Sequence, residues 1–461
     1  MINKSIKEIN AMICGELYLN NTNPDDYING VSIDSRKIEK GNIYFALKGE
    51  VSDGHLYIES AIDNGAKLII ASDVSKINDR APFIIVDDTT RALQDLAASY
   101  RDMLEGLFIG ITGSNGKTSC KDILCAALSS AYKTQKTQGN HNNELGVPLT
   151  ILSFDEDSEC YIVEMGMEAI GDIHFLERMV KPNVGIVTNV GTAHLTTFGS
   201  MDNIGRGKLE MMDVLKDKAL FIYNGDDSIL NKMIKEKDES RLTVKRFGEN
   251  DCNDIYITEF SQDYKKIYFS TNLSHFTYSI EILGKHQAYN AMAAIMVCKS
   301  LNMSDEDIQK GFEMIENTGM RNELLKIKEC TILNDAYKSN PQSSLAALST
   351  FESFDSPYKI VVFADMLDLG DTTNQIHYDL GKDSLNYTYN ELLLYGDLSR
   401  YTYEAVKEND ENRLVKCFNT HKEIADYLRP YLNKECMILF KGSRGMALDK
   451  VIDLLKGDND E

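Results

Sequence analysis

The chain predicts an α/β protein of three modules, the second and third of which are built on doubly wound sheets. Two observations lead there. Short, nearly unbroken apolar runs recur through the middle of the chain as LFIGIT, CYIVEMG, VGIVTNV and ALFIYNGD. That is the pattern of parallel strands buried on both faces, and helical stretches separate them. The same rhythm returns near the C-terminus in CTILNDAY, KIVVFAD, NELLLYGD and MILFKGS, each with a polar or glycine end.

Residues 1–105 read as a small α/β unit. INGVSIDSRKIEKGNIYFALKG alternates β-like runs with turn glycines Gly30, Gly41 and Gly49. HLYIESAIDNGA is a helical stretch closing at Gly65, and LIIAS and PFIIVDD are strands. TTRALQDLAASYRDML is an amphipathic helix that Thr89 or Thr90 would cap. Residues 106–317 form the central module. Its polar, β-rich end (DIYITEF, KIYFSTN, HFTYSIEIL) predicts antiparallel strands added to the sheet. Residues 318–461 make a Rossmann-like third module. No repeat, low-complexity tract or proline-rich linker marks the boundaries.

The most informative segment is ITGSNGKTS, residues 111–119. It lies between the run Leu107, Phe108, Ile109 and a helical stretch through Ile123, Leu124 and Leu128. Free backbone N–H groups and the positive end of a helix dipole would there face a polyphosphate. Gly113, Ser114, Asn115, Gly116, Lys117, Thr118 and Ser119 are the nucleotide-site candidates. Lys117 would reach the terminal phosphates, and the Thr118 hydroxyl would coordinate their Mg²⁺. Ile111 stands where the longer phosphate-loop pattern has its first glycine, so the turn is the short form G-x-x-G-K-T.

Bulk properties narrow the function classes. In 461 residues with 43% hydrophobic and 26% charged content there is ample core for several domains. A net charge of −22 argues against general nucleic-acid binding, which needs a basic surface. No run approaches the ~20 apolar residues of a membrane span. MINKSIKEINAMICGELYL lacks a basic start and an apolar core like those of a secretory signal. Nine cysteines without a C-x-x-C pair suggest neither zinc nor a disulfide framework. A cytoplasmic monomer with reduced thiols is the expectation.

Several central strand ends carry polar residues. VEMGM sets Glu164 after a strand, VTNVGTAHL sets Asn189 and His194 after another, and GNHNNELGVPLT gathers Asn140, His141, Asn142, Asn143 and Glu144 in one loop. Taken singly, each reads as a solvated loop residue. Their shared position beside the phosphate loop makes them candidates, because ligands of such sheets bind at strand carboxyl ends. Glu164 is then a natural Mg²⁺ ligand. His194 would be an unusual one, and Lys208, in NIGRGKLEMM, reads as a helix-surface lysine.

Taken in order, ITGSNGKTS, GNHNNELGVPLT, VEMGM, TNVGTAHL, GKHQAYNAMAA, NDAYKSNPQSSLAAL and KGSRGM resemble the Mur ligases of peptidoglycan precursor synthesis. The GNHNNELGVPLT loop resembles the branch that adds a dipeptide. That resemblance implies a small N-terminal UDP-binding domain, a central ATP-binding domain and a C-terminal domain that takes the incoming dipeptide. The implied reaction joins D-alanyl-D-alanine to UDP-N-acetylmuramoyl-tripeptide through an acyl phosphate, with ATP and Mg²⁺. Carried onto matching positions, Lys117, His194 and Lys208 are catalytic, and Thr118, Glu164, His194 and Lys208 hold metal. Lys208 matches a lysine that the family carbamylates. Asn290, Arg321 and Asp335 fall on the nucleotide side. Ser35, Arg36, Asp53 and His55 lie in the UDP-contacting segment. Asn140, Asn142, Asn143, Glu144, Lys441, Ser443 and Arg444 lie near the peptide substrates.

The chain departs from the family pattern at Gln287, Lys338, Ser339, Ala364, Asp368, Ser119 and Cys120, none of them a proposed catalytic group. Three rival readings stand beside the ligase. They are a sister ligase (single-amino-acid Mur enzyme or folylpolyglutamate synthase), a phosphate-loop nucleotide switch, and a non-catalytic binding protein that keeps the fold.

Overall fold

The computed structural model describes residues 1–49, 52–192, 195–315, 322–367 and 369–457. Its central feature is a nine-stranded sheet. Strands Thr134–Lys136, Cys160–Glu164, Leu107–Thr112, Val184–Val187, Leu220–Asn224 and Thr243–Gly248 lie side by side in that order, all parallel. Leu107–Thr112 therefore sits inside the sheet, with Glu164 opposite Ile111 and Val187 opposite Thr112. Crossover helices cover both faces, which is why these strands are apolar without alternation. Ile255–Gln262 continues the sheet, and Ile267–Thr271 and Ser274–Ile280 add to it antiparallel, as the β-rich segment predicted.

A five-stranded sheet precedes it, with Glu16–Tyr18, Phe83–Ile85, Leu68–Ala71, Ile43–Phe45 and Val31–Ser32 in spatial order. A six-stranded sheet follows it. Its order is Glu323–Ile327, Cys330–Asp335, Cys436–Lys441, Lys359–Ala364, Glu391–Tyr395 and Leu414–Phe418, and only the first pair is antiparallel. The sequence marked the four inner strands. The two edge strands escaped notice because they are short and partly exposed, so they lack a buried apolar run.

One apolar cluster runs from Ile2 through Phe45, Leu96 and Phe108 to Leu176 and Ile234, joining the first sheet's module to the central one. Helix Thr89–Arg101 lies at that seam. The Tyr100 hydroxyl donates to Phe154 O at 2.8 Å, and the Arg101 guanidinium donates to Val180 O, Leu104 O and Lys181 O. The same guanidinium stacks 3.4 Å from the Phe108 ring centroid. Three carbonyls and an aromatic face explain how this arginine tolerates burial. The helix is capped by Asp88, whose carboxylate accepts from Thr90 N and Arg91 N, and not by a threonine. Thr89 instead turns inward and donates to Ala46 O at 3.1 Å.

Glu177, on helix Asp172–Val180, is fully buried, and neither carboxylate oxygen has a hydrogen-bond partner. Burial first, then the charges of Asp213 and Glu210, push its carboxyl from the usual 4.5 up to about 9. An unfolded glutamate releases its proton near 4.5, so between those values the unfolded chain ionises first and stability falls as pH rises. Glu177→Gln should leave the melting temperature at pH 5 nearly unchanged and raise it by a few degrees at pH 8. Thermal melts at both pH values check this, and an equal shift at the two would contradict a buried neutral acid.

Candidate active site

Strand Leu107–Thr112 ends in a turn that only glycine can make at two positions. Gly113 has φ +152°, and a Cβ there would sit 1.8 Å from Thr188 Oγ1. Gly116 has φ +80°, and its Cβ would meet Asn290 Oδ1 at 2.8 Å. Helix Lys117–Ser129 starts directly from Gly116, with no side-chain cap over its first N–H groups. The turn is pinned by residues 188–191 on the neighbouring strand end. Asn115 N donates to Asn189 Oδ1, Thr188 Oγ1 donates to Asn115 O, and Gly191 N donates to Ser114 Oγ. The Lys117 ammonium donates to Gly113 O at 2.6 Å, folding back across the turn.

Around this turn opens a cavity of 1050 Å³. It takes in residues 113–119, Asn140, Asn142, Asn143, Glu144, Glu164 and Lys208 from the central module. From the C-terminal module it takes Asp335, Lys338, Lys441, Ser443 and Arg444. Most candidates read from the sequence thus converge. The exceptions are Ser35, Arg36, Asp53 and His55, none of which lines the cavity. Asp53 instead lies near Tyr44. Burial first, then Asp34, Tyr57 and Asp53, push its hydroxyl up to about 12. His55 is buried, with Nδ1 2.6 Å from Asp53 Oδ1 and Nε2 accepting from Ser72 N. Arg36 pairs with Asp34, which backbone and side-chain bonds hold down to about 2. His194, Arg321 and Asp368 lie outside the described residues.

Glu164 is 2% exposed and compensated on all sides. Its Oε2 accepts from Thr118 Oγ1 and its Oε1 from Asn142 Nδ2, both at 2.8 Å. Behind it, Lys121 Nζ lies 3.9 Å from Glu164 and 3.6 Å from Asp122, which also pairs with Lys136. Two cations and two carboxylates therefore balance. Lys121 was missed in the sequence, where it reads as an ordinary helix lysine four residues after Lys117. The loop before helix Gly146–Ser153 supplies Asn142, so the GNHNNELGVPLT segment is part loop and part helix.

Lys208 corrects an expectation. It lies on helix Met201–Leu209 but is 3% exposed, not a surface lysine. Burial first, then the charges of Lys117 and Lys338, hold its ammonium well below the usual lysine range.

On the far side, Asn290 Nδ2 donates to Gln287 Oε1 at 2.9 Å, so the unusual Gln287 orients the nucleotide-side asparagine. Neighbouring His286 is lowered to about 4, mainly by burial, and is neutral at physiological pH. Asp335 and Lys441 end adjacent strands in register and form an ion pair at 2.6 Å, Lys441 also donating to Lys338 O. Ser443 Oγ accepts from Leu367 N, and Arg444 pairs with Asp449. Two contacts join the C-terminal module to the central one beside the glycine turn. Asn340 Nδ2 donates to Asn115 Oδ1 at 2.7 Å, and Thr192 Oγ1 donates to Gln342 Oε1 at 3.1 Å. Asn340 caps helix Pro341–Glu352, with proline at the first helical position. That start is legible as Asn-Pro in the sequence, but its contact across 225 residues is not.

Three family models match the chain in succession. They are the Mur ligase family catalytic domain over residues 27–101, the Mur ligase middle domain over 111–298, and the Mur ligase glutamate ligase domain over 320–444. The UDP-N-acetylmuramoyl-tripeptide--D-alanyl-D-alanine ligase of Bacillus subtilis (strain 168) is 35% identical over 460 residues, covering 99% of each chain. The crystal structure of MurF from Acinetobacter baumannii superposes with a TM-score of 0.89 at 27% identity, covering 99% of each chain. MurF ligase from Thermotoga maritima in complex with ADP gives a TM-score of 0.82 at 25% identity. It covers 93% of this chain and 97% of that one.

The clash at Gly113 generates a test. Gly113→Ala should cost at least about 100-fold in ATP affinity, measured by calorimetry, while circular dichroism stays that of the parent. Unchanged affinity would mean that the turn does not bind nucleotide.

Proposed function

The chain belongs to the Mur ligase family, and we propose that it joins D-alanyl-D-alanine to UDP-N-acetylmuramoyl-tripeptide. The products are the UDP-linked pentapeptide, ADP and phosphate. The observation that carries this reading is the shared cavity. A phosphate turn from the central sheet faces strand ends of a separate C-terminal sheet, which a nucleotide switch does not need and a reaction of two further substrates does. The substrates themselves are those named for the Bacillus subtilis relative, which matches this chain end to end.

The chemistry follows from the charges that must meet. The terminal carboxylate of the tripeptide attacks the γ-phosphorus of ATP, and ADP leaves. The α-amine of the dipeptide then attacks the acyl carbon, and the tetrahedral adduct expels phosphate while the amine loses its proton. An α-amine with a pKa near 8 is partly deprotonated at neutral pH, so no strong dedicated base is required. The protein's task is positioning and neutralisation of three converging anions. Backbone N–H groups at the uncapped helix start, residues 116–118, receive the phosphates, and the Lys117 ammonium exchanges Gly113 O for a phosphate oxygen. Asn290, Arg321 and Asp335 take the nucleoside side.

The donor set fits Mg²⁺. Thr118 and Glu164 offer a hydroxyl and a carboxylate already in contact, and Mg²⁺ takes few protein ligands beside phosphate and water. When bound, the ion offsets phosphate charge. His194 and Lys208 complete the proposed set. A lysine adds carbon dioxide through its neutral amine, giving a carbamate and a proton, and burial beside Lys117 and Lys338 favours that form at Lys208; the carbamate turns a poor metal ligand into an anionic one. Asn340 and Gln342, holding the C-terminal module on the loop, keep water from the acyl phosphate. Ser35, Arg36, Asp53 and His55 take the UDP end, remote from the reacting atoms. Among the described residues no helix is long and apolar enough to cross a membrane. A cytoplasmic monomer remains part of the proposal.

The test is phosphate release with ATP and Mg²⁺, adding UDP-N-acetylmuramoyl-tripeptide and D-alanyl-D-alanine separately and then together. Release that needs both, with a UDP-pentapeptide by mass spectrometry, is expected. Release with neither, and no new amide, would replace the ligase reading with a nucleotide switch. Lys117→Ala should reduce turnover by at least about 1,000-fold, with binding of the UDP-tripeptide kept within about twofold. An active Lys117→Ala enzyme would remove Lys117 from the phosphate site.

A further inference from the structure

We propose that Cys330 and Cys436 are a reversible oxidation site, where a disulfide cross-links two inner strands of the C-terminal sheet. Strands Cys330–Asp335 and Cys436–Lys441 run parallel, with Cys330 directly opposite Cys436 and Asp335 opposite Lys441. Register neighbours on adjacent strands place their Cα atoms about 4.8 Å apart, inside the span a disulfide requires. The two sulfurs are 2.7 Å from each other, closer than the ordinary contact distance of unbonded sulfur. No other two cysteine sulfurs are in hydrogen-bond contact among the described residues. Cys330 is wholly buried, and Cys436 is 3% exposed at the start of its strand. Hydrogen bonding with Cys330, helped by the charge of Lys434, holds the Cys436 thiol below its usual value. The same contact and burial push Cys330 up. Cys436 is thus the more accessible of the pair, and the one an oxidant meets first.

Burial restricts the oxidant to a small molecule, and hydrogen peroxide suffices. The Cys436 thiolate attacks one peroxide oxygen and breaks the O–O bond, giving a sulfenic acid and hydroxide. The hydroxide takes up the thiol proton and leaves as water. The Cys330 sulfur then attacks the Cys436 sulfur, and the sulfenic hydroxyl departs with the second thiol proton as another water. Two thiols and one peroxide become one disulfide and two waters. A dithiol reductant reverses the bond by exchange.

Placement sets the consequence. Five residues further along, the same two strands carry Asp335 and Lys441 into the catalytic cavity, roughly 16 Å from the cysteines. A cross-link at the opposite strand ends fixes their pairing without touching the reacting groups. It also ties residues 106 positions apart, which removes freedom from the unfolded module. The oxidised enzyme should therefore keep its turnover and resist unfolding.

The test uses the full chain with the exposed Cys14, Cys252 and Cys417 changed to serine, which prevents links between molecules. After hydrogen peroxide, non-reducing digestion and mass spectrometry should recover a peptide pair joined through Cys330 and Cys436, released by dithiothreitol. The oxidised protein should melt a few degrees higher than the same sample after dithiothreitol, at equal turnover. Cys436→Ser should show neither the pair nor the difference, and Cys330→Ala serves if that variant does not fold. Recovery of the two cysteines on separate peptides, as thiols or sulfinic acids, would overturn the site. A linked pair with no gain in melting temperature would overturn the strand lock.

Discussion

A glycine turn that approaches a polyphosphate must come close and carry nothing in the way, and this constraint organises the whole central module. At Gly113 a methyl group would overlap the Thr188 hydroxyl, and at Gly116 it would press on Asn290. The turn can occupy that space only because residues 188–191 hold it from the next strand. Those residues are at the right height only because Val187 pairs in register with Thr112. The parallel sheet is thus a ruler. It sets Thr112 and Val187 at one level and Glu164 level with Ile111, one residue before, and each loop that leaves these strand ends enters the same space.

The second demand is electrostatic. An acidic protein has to gather anions, and it does so with buried charges that are already matched. Glu164 is balanced by Lys121, Thr118 and Asn142, Asp335 by Lys441, and Asp122 by Lys121 and Lys136. Each carboxylate meets a cation or a hydrogen-bond donor, which offsets the cost of taking it out of water. Lys208 is the opposite case. It is buried beside other lysines, and burial and their charges disfavour its ammonium form. Glu177 is also held toward its neutral form, but it does not line the cavity, its carboxylate oxygens have no hydrogen-bond partner, and it carries a stability cost.

Much of the architecture was legible in the sequence because buried parallel strands leave unbroken apolar runs and glycine turns leave their spacing. LFIGIT and the turn after it identified both the strand and the site. Strands Glu323–Ile327 and Leu414–Phe418 were not legible, since an exposed edge imposes no such pattern. The cap of helix Thr89–Arg101 was misread because Asp88, Thr89 and Thr90 can all cap, and only the inward turn of Thr89 toward Ala46 selects the aspartate. Lys208 looked like a surface residue because its burial comes from elements far away in sequence.

The sequence by itself determined the chemistry available, meaning a phosphate turn, a carboxylate after the next strand and a lysine-rich set of strand ends. It also determined membership of the Mur ligase family, through motifs whose order and spacing are read along one line. Only the tertiary structure decided which of these groups share a cavity and in what charge state. Asn340 reaches Asn115, Lys441 meets Asp335, Cys330 meets Cys436, and Lys208 is buried beside Lys117 and Lys338. The physical reason is common to all four. Contact and burial depend on strand order, register and docking of separate modules, and a linear pattern of residue types records none of these.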